Sequence, residues 1–309
     1  MDVVIRELDH ETLVDLIPLY RQVFEKETDR AFLEAKYDTH YLGTPFFGHL
    51  AYDPDGHPIA FHGAVPFRLD LDDRSFIGAQ YGDAMTLPAA AGQGLFTRLG
   101  RLTDERLLDF GIRFFYGFPN QNSEYGYLNK LDWRSVHRMR CYTIPVMTLP
   151  LEKLSRTVSA GRTYQERIRH RLAPYLRPEL ELSNSAAERG VIHTRRDRDF
   201  HTYKRFTNNF FIEVAGVGMW IKPEGGLLIG DMDRRPEVEI LNALSELKKI
   251  ARSHGITKIT YQASPGTEIE TVFARHFSGF DSWVLGGKSF DPRLPIEALR
   301  CTYGDLDTF

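Results

Sequence analysis

The sequence has 309 residues, of which 42% are hydrophobic and 26% charged, and a formal net charge of −3. This balance is typical of a globular protein with a sizeable core and argues against a disordered chain. The small negative charge provides no field that would recruit nucleic acid or an anionic membrane, so we expect neither as a partner. The two cysteines have no C-x-x-C spacing, which indicates a reducing compartment.

The N-terminal residues 1–7 lack the basic and apolar regions of a secretory signal. No apolar run approaches the roughly 20 residues that a membrane span needs. We therefore expect a soluble, cytoplasmic protein. A homodimer is a possible assembly that the sequence does not decide.

The first elements follow from periodicity and turn chemistry. Residues 2–7 alternate between apolar and charged side chains, as a strand does, and an apolar stripe from Leu13 to Phe24 predicts a helix that Pro18 interrupts. The Asp-Gly pair at 55–56 separates two apolar runs and predicts a hairpin. A further strand is predicted near residues 76–87.

A loop of small residues follows, from Pro88 to Gly94. It opens into a predicted helix over residues 95–110, which Gly111 ends in the manner of a C′ glycine. An apolar strand over 112–118, a helix over 125–131 and a strand over 133–140 follow it. Residues 1–145 are thereby predicted to form one α/β domain.

The rest of the chain divides into a connector and a second domain. Residues 146–195 are Pro-rich at their ends and contain a basic helix near 164–176, whereas residues 196–309 repeat the earlier order of elements. Both halves contain a long helix followed by Gly-Ile and an apolar strand. We interpret residues 196–309 as a degenerate duplication of the first domain.

The loop at 88–94 has the chemistry of an anion site. The first N–H groups of a helix lack intrahelical acceptors, and the helix dipole favours negative charge there. Gly92 and Gly94 would let a ligand approach the backbone closely. The Gly-Lys-Ser/Thr of a P-loop is absent, and a dinucleotide fingerprint would need glycine where Thr97 stands. The remaining candidate ligand is the pyrophosphate of coenzyme A.

Residues 82–133 resemble the core of the GNAT (GCN5-related N-acetyltransferase) superfamily. The family loop Arg/Gln-x-x-Gly-x-Gly/Ala is similar to Ala91-Gly92-Gln93-Gly94-Leu95-Phe96, and the family motif Phe-Tyr-x-Lys-Leu-Gly-Phe to residues 127–133. Gly-Ile at 111–112 and Pro-Asn at 119–120 stand between them in the family order. The resemblance implies an α/β fold with the mixed GNAT sheet. It also implies a tandem arrangement with a degenerate second half.

The resemblance also implies a site for acetyl-CoA or another short acyl-CoA, without a metal. The amides of Ala91, Gly92, Gln93, Gly94, Leu95 and Phe96 would hold the pyrophosphate. The preceding strand residues Met85, Thr86 and Leu87 would pair with the pantetheine arm, and Asn120 would lie beside that arm.

The chain departs from the family pattern at three positions. Ala91 stands where the family prefers Arg or Gln, and Phe96 stands at the last small position of the loop. Leu128 occupies the place of the tyrosine that commonly protonates the departing thiolate. Its neighbour Tyr127 is the candidate for that role if the helix register differs from our alignment, since one residue turns a helical side chain by about 100°.

Deprotonation of an amine acceptor needs a base. The resemblance implies that a carboxylate or a water chain near the strand before the loop provides it. Asp83 is the first candidate and Glu124 the second. His62 lies on a strand that could face the acceptor and is a candidate contact. The histidines at 40, 49, 57 and 62 match no common metal-ligand spacing.

The predicted function is transfer of an acetyl or other short acyl group from acyl-CoA to an amine, by direct attack in a ternary complex. The acceptor would be a small-molecule amine, among which an amino sugar is one option. One alternative is a catalytically inactive GNAT-like protein that binds CoA or acts as a scaffold. Another is a CoA-independent aminoacyl transferase similar to the Fem enzymes.

Overall fold

The computed structural model describes residues 3–149, 166, 168–178 and 181–309. The chain forms two compact units: Met1–His137 with Trp283–Leu299, and Arg138–Ser282 with Arg300–Phe309. We call these unit 1 and unit 2. The chain leaves unit 1 close to the predicted boundary at residue 145, but it returns to unit 1 at Trp283, which the predicted linear division into 1–145, 146–195 and 196–309 does not include. Most of the predicted connector, residues 150–165, lies outside the described residues.

The sheet of unit 1 has the strand order β1, β2, β3, β4, β5, β12. Neighbouring strands are antiparallel, except that β4 and β5 are parallel. The strands are β1 Val4–Glu7, β2 Phe47–Tyr52, β3 Pro58–Leu71, β4 Arg74–Thr86, β5 Phe114–Gly117 and β12 Gly279–Ser289, of which residues 283–289 belong to unit 1.

Turn chemistry accounts for the β2–β3 hairpin. Gly56 has φ +84°, a conformation that favours glycine, and its N–H donates to the carbonyl of Asp53 at 3.0 Å. The carbonyl of His57 accepts from the N–H of Asp53 at 3.0 Å and closes the turn. The predicted hairpin is confirmed.

The helices of unit 1 are α1 Leu16–Phe24, α2 Arg30–Tyr37, α3 Leu95–Phe110 and α4 Glu124–Lys130. The predicted helix over 95–110 is confirmed as α3, and Gly111 follows it at φ +98°. The apolar stripe of α3 is buried at Leu95, Leu99 and Leu107. The sequence analysis did not predict α2, whose buried stripe contains a lysine, Lys36.

The sheet of unit 2 has the strand order β6, β11, β10, β9, β8. Only β10 and β11 are parallel in this series, and the long helix α6 connects them. The strands are β6 Arg134–Pro145, of which residues 138–145 belong to unit 2, β7 Ile192–Thr194, β8 Phe210–Val214, β9 Val217–Pro223, β10 Leu227–Met232 and β11 Lys258–Ala263. The helices are α5 Arg198–Tyr203, α6 Glu237–Ser253 and α7 Glu268–His276.

Each unit thus contains a strand, a long helix and a second strand parallel to the first, namely β4–α3–β5 and β10–α6–β11. This is the element order on which the predicted duplication rests, and a common origin of the two halves stays a prediction. Of the predicted basic helix near 164–176, residues 168–171 are helical, whereas residues 164, 165 and 167 lie outside the described residues. In the described part of the chain, no helix has the length and apolar character of a membrane span.

Candidate active site

Strands β4 and β5 separate at the level of Tyr81. Their parallel pairing covers Ala79–Phe115 to Tyr81–Gly117 and then stops, although β4 continues to Thr86. Within the described part of unit 1, no strand pairs with β4 beyond Tyr81 on this edge. The two parallel strands therefore leave an opening with an unpaired strand edge on one side.

Along β4, successive residues direct their main-chain N–H and C=O groups alternately toward one edge of the strand and the other. The N–H of Leu87 donates to the carbonyl of Ile59 at 2.9 Å, so Leu87 and, two residues before it, Met85 present their main-chain groups to β3. Thr86, between them, presents its N–H and C=O to the opening. Of the three residues predicted to pair with pantetheine, Thr86 has the required orientation.

The glycine loop reaches the N-terminus of α3 in an open conformation. Gly92 and Gly94 have φ +76° and +74°, and a Cβ at either position would have no neighbour within 4 Å. Residues 91–94 are exposed, and no side chain caps the helix. The loop therefore provides exposed N–H groups at the positive end of a helix dipole, with space for an anion beside the backbone.

The side chain of Phe96 packs inward. Its ring lies 5.1 Å from the ring of Tyr127 and 5.0 Å from that of His62, and it covers Gly126, where a Cβ would lie 2.5 Å from the phenyl ring. The large residue at this loop position is thus matched by a glycine on α4. Leu95, the first residue of α3, is buried, so of these two residues only the main chain can contribute to a ligand at the loop.

Asp83 lies at a β-bulge opposite His62. Phe61 is in register with Met85 but Gly63 with Gly82, so that Asp83 and Ala84 together face one residue of β3. Asp83 has φ +55°, which a short polar side chain tolerates better than most. The bulge directs its carboxylate into unit 1.

The carboxylate of Asp83 is held by three donors. Its Oδ2 accepts from Nζ of Lys36 at 2.5 Å, from the hydroxyl of Tyr37 at 2.7 Å and from the hydroxyl of Tyr20. The side chains of Lys36 and Asp83 are only 3% and 7% exposed. Burial raises the pKa of Asp83, but the charge of Lys36 and the three hydrogen bonds outweigh it, and the pKa is lowered. Asp83, which the sequence analysis named as the first candidate for the base, is therefore an ionised carboxylate that already accepts three hydrogen bonds.

Tyr127 points into an aromatic cluster. Its ring lies 4.4 Å from that of Trp133 and 5.5 Å from that of His62, and it is 4% exposed. The adjacent Tyr125 is 65% exposed, and Leu128 is half-buried against the same core. The register of α4 thus places the three side chains in three different environments.

His62 is fully buried at the centre of this cluster. Its ring has no exposed surface, and neither ring nitrogen has a hydrogen-bond partner among the described residues. Burial, together with the nearby charges of His49 and Lys288, lowers its pKa to about 3. The predicted contact between His62 and an acceptor would require neighbouring rings to move aside.

Asn120 and Glu124 belong to the turn that enters α4. The side chain of Asn120 is exposed and accepts from the N–H groups of Asn122 at 2.9 Å and Ser123 at 3.2 Å. Glu124 is half-buried in the first turn of the helix. Asn120 thus stabilises the turn that follows β5.

A second buried ion pair joins α3 to β12. Asp104 accepts from Nζ of Lys288 at 2.5 Å and from the hydroxyl of Tyr81 at 2.6 Å, and Lys288 also donates to the carbonyl of Leu131 at 2.9 Å. Burial raises the pKa of Asp104 in spite of these donors. The hydroxyl of Tyr81 thereby fixes the last pair of the β4–β5 ladder to α3.

The sequence analysis missed the partners of both carboxylates. The helical spacing of Leu33, Lys36 and Tyr37 could have indicated a buried lysine, but not the carboxylate that it pairs with. No local pattern signals Lys288, which is 184 residues from Asp104.

Among the described residues, one group of side chains could coordinate a cation. Asp53, Asp55 and His57 bring potential ligand atoms within 4.8 Å of one another in the β2–β3 turn. Asp53 also accepts from the N–H groups of Asp55 and His57 at 3.0 and 2.8 Å, so the cluster serves the turn itself. No metal was predicted from the sequence, and these residues lie in an exposed hairpin.

No protein-family model matches the sequence, and no curated protein matches it significantly. Similarity appears at the level of structure. A GCN5-related N-acetyltransferase from Kribbella flavida superposes with a TM-score of 0.55 at 11% identity, covering 92% of this chain and 71% of that one. A GCN5-related N-acetyltransferase from Sphaerobacter thermophilus gives 0.54 at 14% identity, covering 96% and 98%.

A third similar structure is a fungal glucosamine N-acetyltransferase region of a multi-domain β-N-acetylglucosaminidase. It gives a TM-score of 0.52 at 11% identity, covering 93% of this chain and 38% of that one. At identities this low, the superpositions establish the fold alone. The chain has the fold of the GCN5-related N-acetyltransferases.

Proposed function

We propose that unit 1 binds an acyl-CoA and transfers its acyl group to an amine. The observation that supports this most directly is the combination of the opening between β4 and β5 with the exposed glycine loop at the N-terminus of α3. A strand edge, which can pair with an amide-containing arm, and an anion site then occur on consecutive segments of the chain. Coenzyme A contains both an arm with amides and a pyrophosphate.

The residues present fit such a ligand. The open space beside Gly92 and Gly94 would admit the pyrophosphate, and the main chain of Thr86 is oriented toward the arm. Phe96 does not fill the cradle, because its ring packs against Gly126. Acetyl-CoA or another short acyl-CoA is the proposed co-substrate.

The proposed chemistry is direct attack of a neutral amine on the thioester carbon, with the thiolate leaving. Orientation supplies most of the catalysis for such a step. Glu124 is the better-exposed candidate for the base, because the carboxylate of Asp83 already accepts three hydrogen bonds. Tyr127 stays the candidate for the proton donor to the thiolate.

The acceptor is proposed to be a small-molecule amine. The glucosamine N-acetyltransferase region among the similar structures supports an amino sugar as the first acceptor to test. Glucosamine and a simple alkyl amine would separate sugar recognition from recognition of an amine alone.

Calorimetric titration with acetyl-CoA tests the cofactor assignment. Gly94→Trp should abolish binding, because the indole would occupy the open space beside the loop. The matched control is Gly43→Trp. Gly43 has φ +70° and also has no neighbour within 4 Å of a Cβ, so it carries the same backbone strain away from the loop.

Loss of binding in the loop variant but not in the control would support the site. If the folded wild-type protein does not bind acetyl-CoA, the proposal is wrong. Equal loss in both variants would mean that backbone strain, not occupation of the loop, removes binding.

A second candidate is a CoA-binding protein without transferase activity. The observations that favour it are the engagement of Asp83 by three donors and the burial of Tyr127, since both groups were candidates for proton transfer. Binding of acetyl-CoA without release of free thiol in the presence of a broad panel of amines would favour this candidate.

A further inference from the structure

Unit 2 contains a pocket of about 440 Å³. It lies where the turn after α5 meets the start of β8, and residues 169, 176 and 178 also line it. Its volume falls within the range of about 300–1,000 Å³ that is common for small-molecule sites. Nothing in the function proposed for unit 1 uses this pocket.

One wall of the pocket is His201, a buried histidine without partners. Its side chain is 9% exposed, and neither ring nitrogen makes a hydrogen bond to any described residue. The main chain of Leu182 lies near enough to the ring to raise its pKa, but it does not meet the geometry of a hydrogen bond. Burial and the charge of Arg196 lower the pKa of His201 to about 4, so the ring is neutral at pH 7. A neutral imidazole offers one donor and one acceptor, and leaving both unused in a buried position is unfavourable.

Most of the apolar lining is aromatic. Phe206, Phe210 and Phe211 line the pocket. The ring of Phe211 stacks on that of Trp220 at 5.7 Å and 19° and lies 4.9 Å from His201. Such a wall offers flat surfaces against which a planar ring can pack.

The charged part of the lining is cationic. Arg169 and Arg205 are exposed at the pocket, and neither forms an ion pair within the described residues. Arg169 lies over the ring of Phe210 at 5.7 Å. Among the described residues that line the pocket, none is acidic. Asp197, whose charge also acts on His201, accepts from the N–H of Phe200 at 2.9 Å and caps α5.

We propose that this pocket binds a small molecule that combines a flat aromatic ring with a negatively charged group. The ring would pack against the phenylalanine side chains. Arg169 and Arg205 would bind the carboxylate or phosphate, because guanidinium groups match both geometrically. His201 would make the hydrogen bond that it lacks within the described chain.

Calorimetric titration of the full chain tests the proposal with four probes. Two probes combine a ring and an anion, 4-hydroxybenzoate as a carboxylate and AMP as a phosphate. Two carry one feature only, benzyl alcohol and inorganic phosphate. At least one combined probe should bind about tenfold more tightly than either single-feature probe, because ring and charge contribute together. If neither combined probe binds, or a single-feature probe binds as tightly, the proposal is wrong.

Variants assign the binding to this pocket. Arg205→Glu should weaken the combined probe at least about tenfold, because it replaces an attractive charge by a repulsive one. The matched control Arg252→Glu reverses an exposed arginine on α6 of the same unit and should leave affinity unchanged. His201→Phe should also weaken binding. Because Arg205 is exposed, its variant keeps the test valid if the His201 variant does not fold.

AMP is also part of coenzyme A and could bind to unit 1. The Gly94→Trp variant separates the two sites, because it alters only the loop of unit 1. AMP binding that survives Gly94→Trp and is lost in Arg205→Glu supports the pocket. The reverse result overturns the proposal for AMP, even where the acyl-CoA site is correct.

Discussion

Replacing Asp83 by asparagine should destabilise unit 1 by about 3 kcal/mol. The substitution removes the charge from a buried ion pair whose side chains are 3% and 7% exposed, while it keeps the shape of the side chain. Breaking such a pair costs about 3–5 kcal/mol, because the remaining charge is left buried. Asparagine keeps an oxygen for the hydroxyl of Tyr37 and tolerates the φ of +55°, which places the expected cost at the lower end of this range.

A double-mutant cycle isolates the ion pair. Lys36→Met alone should cost about as much as Asp83→Asn, because it leaves a buried carboxylate without its cation. The double variant should cost about 2 kcal/mol less than the sum of the two single variants, because it leaves neither charge unpaired. The matched control is Asp132→Asn, at an exposed aspartate with φ +58°, and it should change stability by less than about 0.5 kcal/mol.

The contribution of Asp83 also depends on pH in a defined direction. Its pKa in the folded protein is lowered below the ordinary value of 3.8, so folding favours the ionised form. The resulting stability is fully present above the unfolded pKa and is lost as the pH falls through the folded one. The difference between wild type and Asp83→Asn should therefore be constant from pH 5 to pH 8 and shrink below about pH 4.

Urea unfolding followed by circular dichroism measures these free energies. A loss of less than about 1 kcal/mol in the free energy of unfolding for Asp83→Asn would refute the reasoning, because a buried lysine that loses its carboxylate partner should destabilise the protein by more than this. So would two single-variant costs that simply add in the double variant. A pH-independent difference down to pH 2 would show that the carboxylate is not the ionised partner.

Three further outcomes are expected. Gly126→Ala should destabilise the protein by about 1–3 kcal/mol, because the new Cβ would lie 2.5 Å from the ring of Phe96. Thermal unfolding should show that adding Phe96→Leu restores part of the loss. An unchanged melting temperature for Gly126→Ala would contradict this packing. Lys288→Met should lower the free energy of unfolding in urea more at pH 8 than at pH 5.5. Without the lysine, the already raised pKa of Asp104 rises further, and a buried carboxyl of raised pKa destabilises the folded protein as the pH increases. An equal cost at both pH values would count against the ion pair between Lys288 and Asp104. Tyr127→Phe should keep the ring contacts but lower kcat for acyl transfer about 100-fold if its hydroxyl protonates the thiolate, and a wild-type kcat would remove Tyr127 from the mechanism.

Much of the candidate site could be predicted from the sequence because its determinants are local. The glycines at 92 and 94 are needed by a loop with positive φ, and the apolar stripe that starts at Leu95 defines α3 within one helix. The Asp-Gly pair fixes the β2–β3 turn in the same way. Such signals depend on residues a few positions apart, and so the strand, the loop and the helix were predicted in the correct order.

The partners of the buried charges could not be predicted in this way. Lys36 lies 47 residues from Asp83, and Lys288 lies 184 residues from Asp104, so no periodicity relates them. The β-bulge that turns Asp83 inward and the burial of His62 depend on the register between β3 and β4. The same residues would have different environments if that register shifted by one position.

The sequence by itself determined the secondary structure around the loop, the mixed α/β class and the family to which the fold is similar. Only the tertiary structure decided which carboxylates are engaged, which way Tyr127 and Phe96 point, and that the chain returns to unit 1 at Trp283. The physical reason is that backbone propensity and hydrophobic periodicity act over one or two turns, whereas the environment of a side chain is set by contacts between segments distant in the chain.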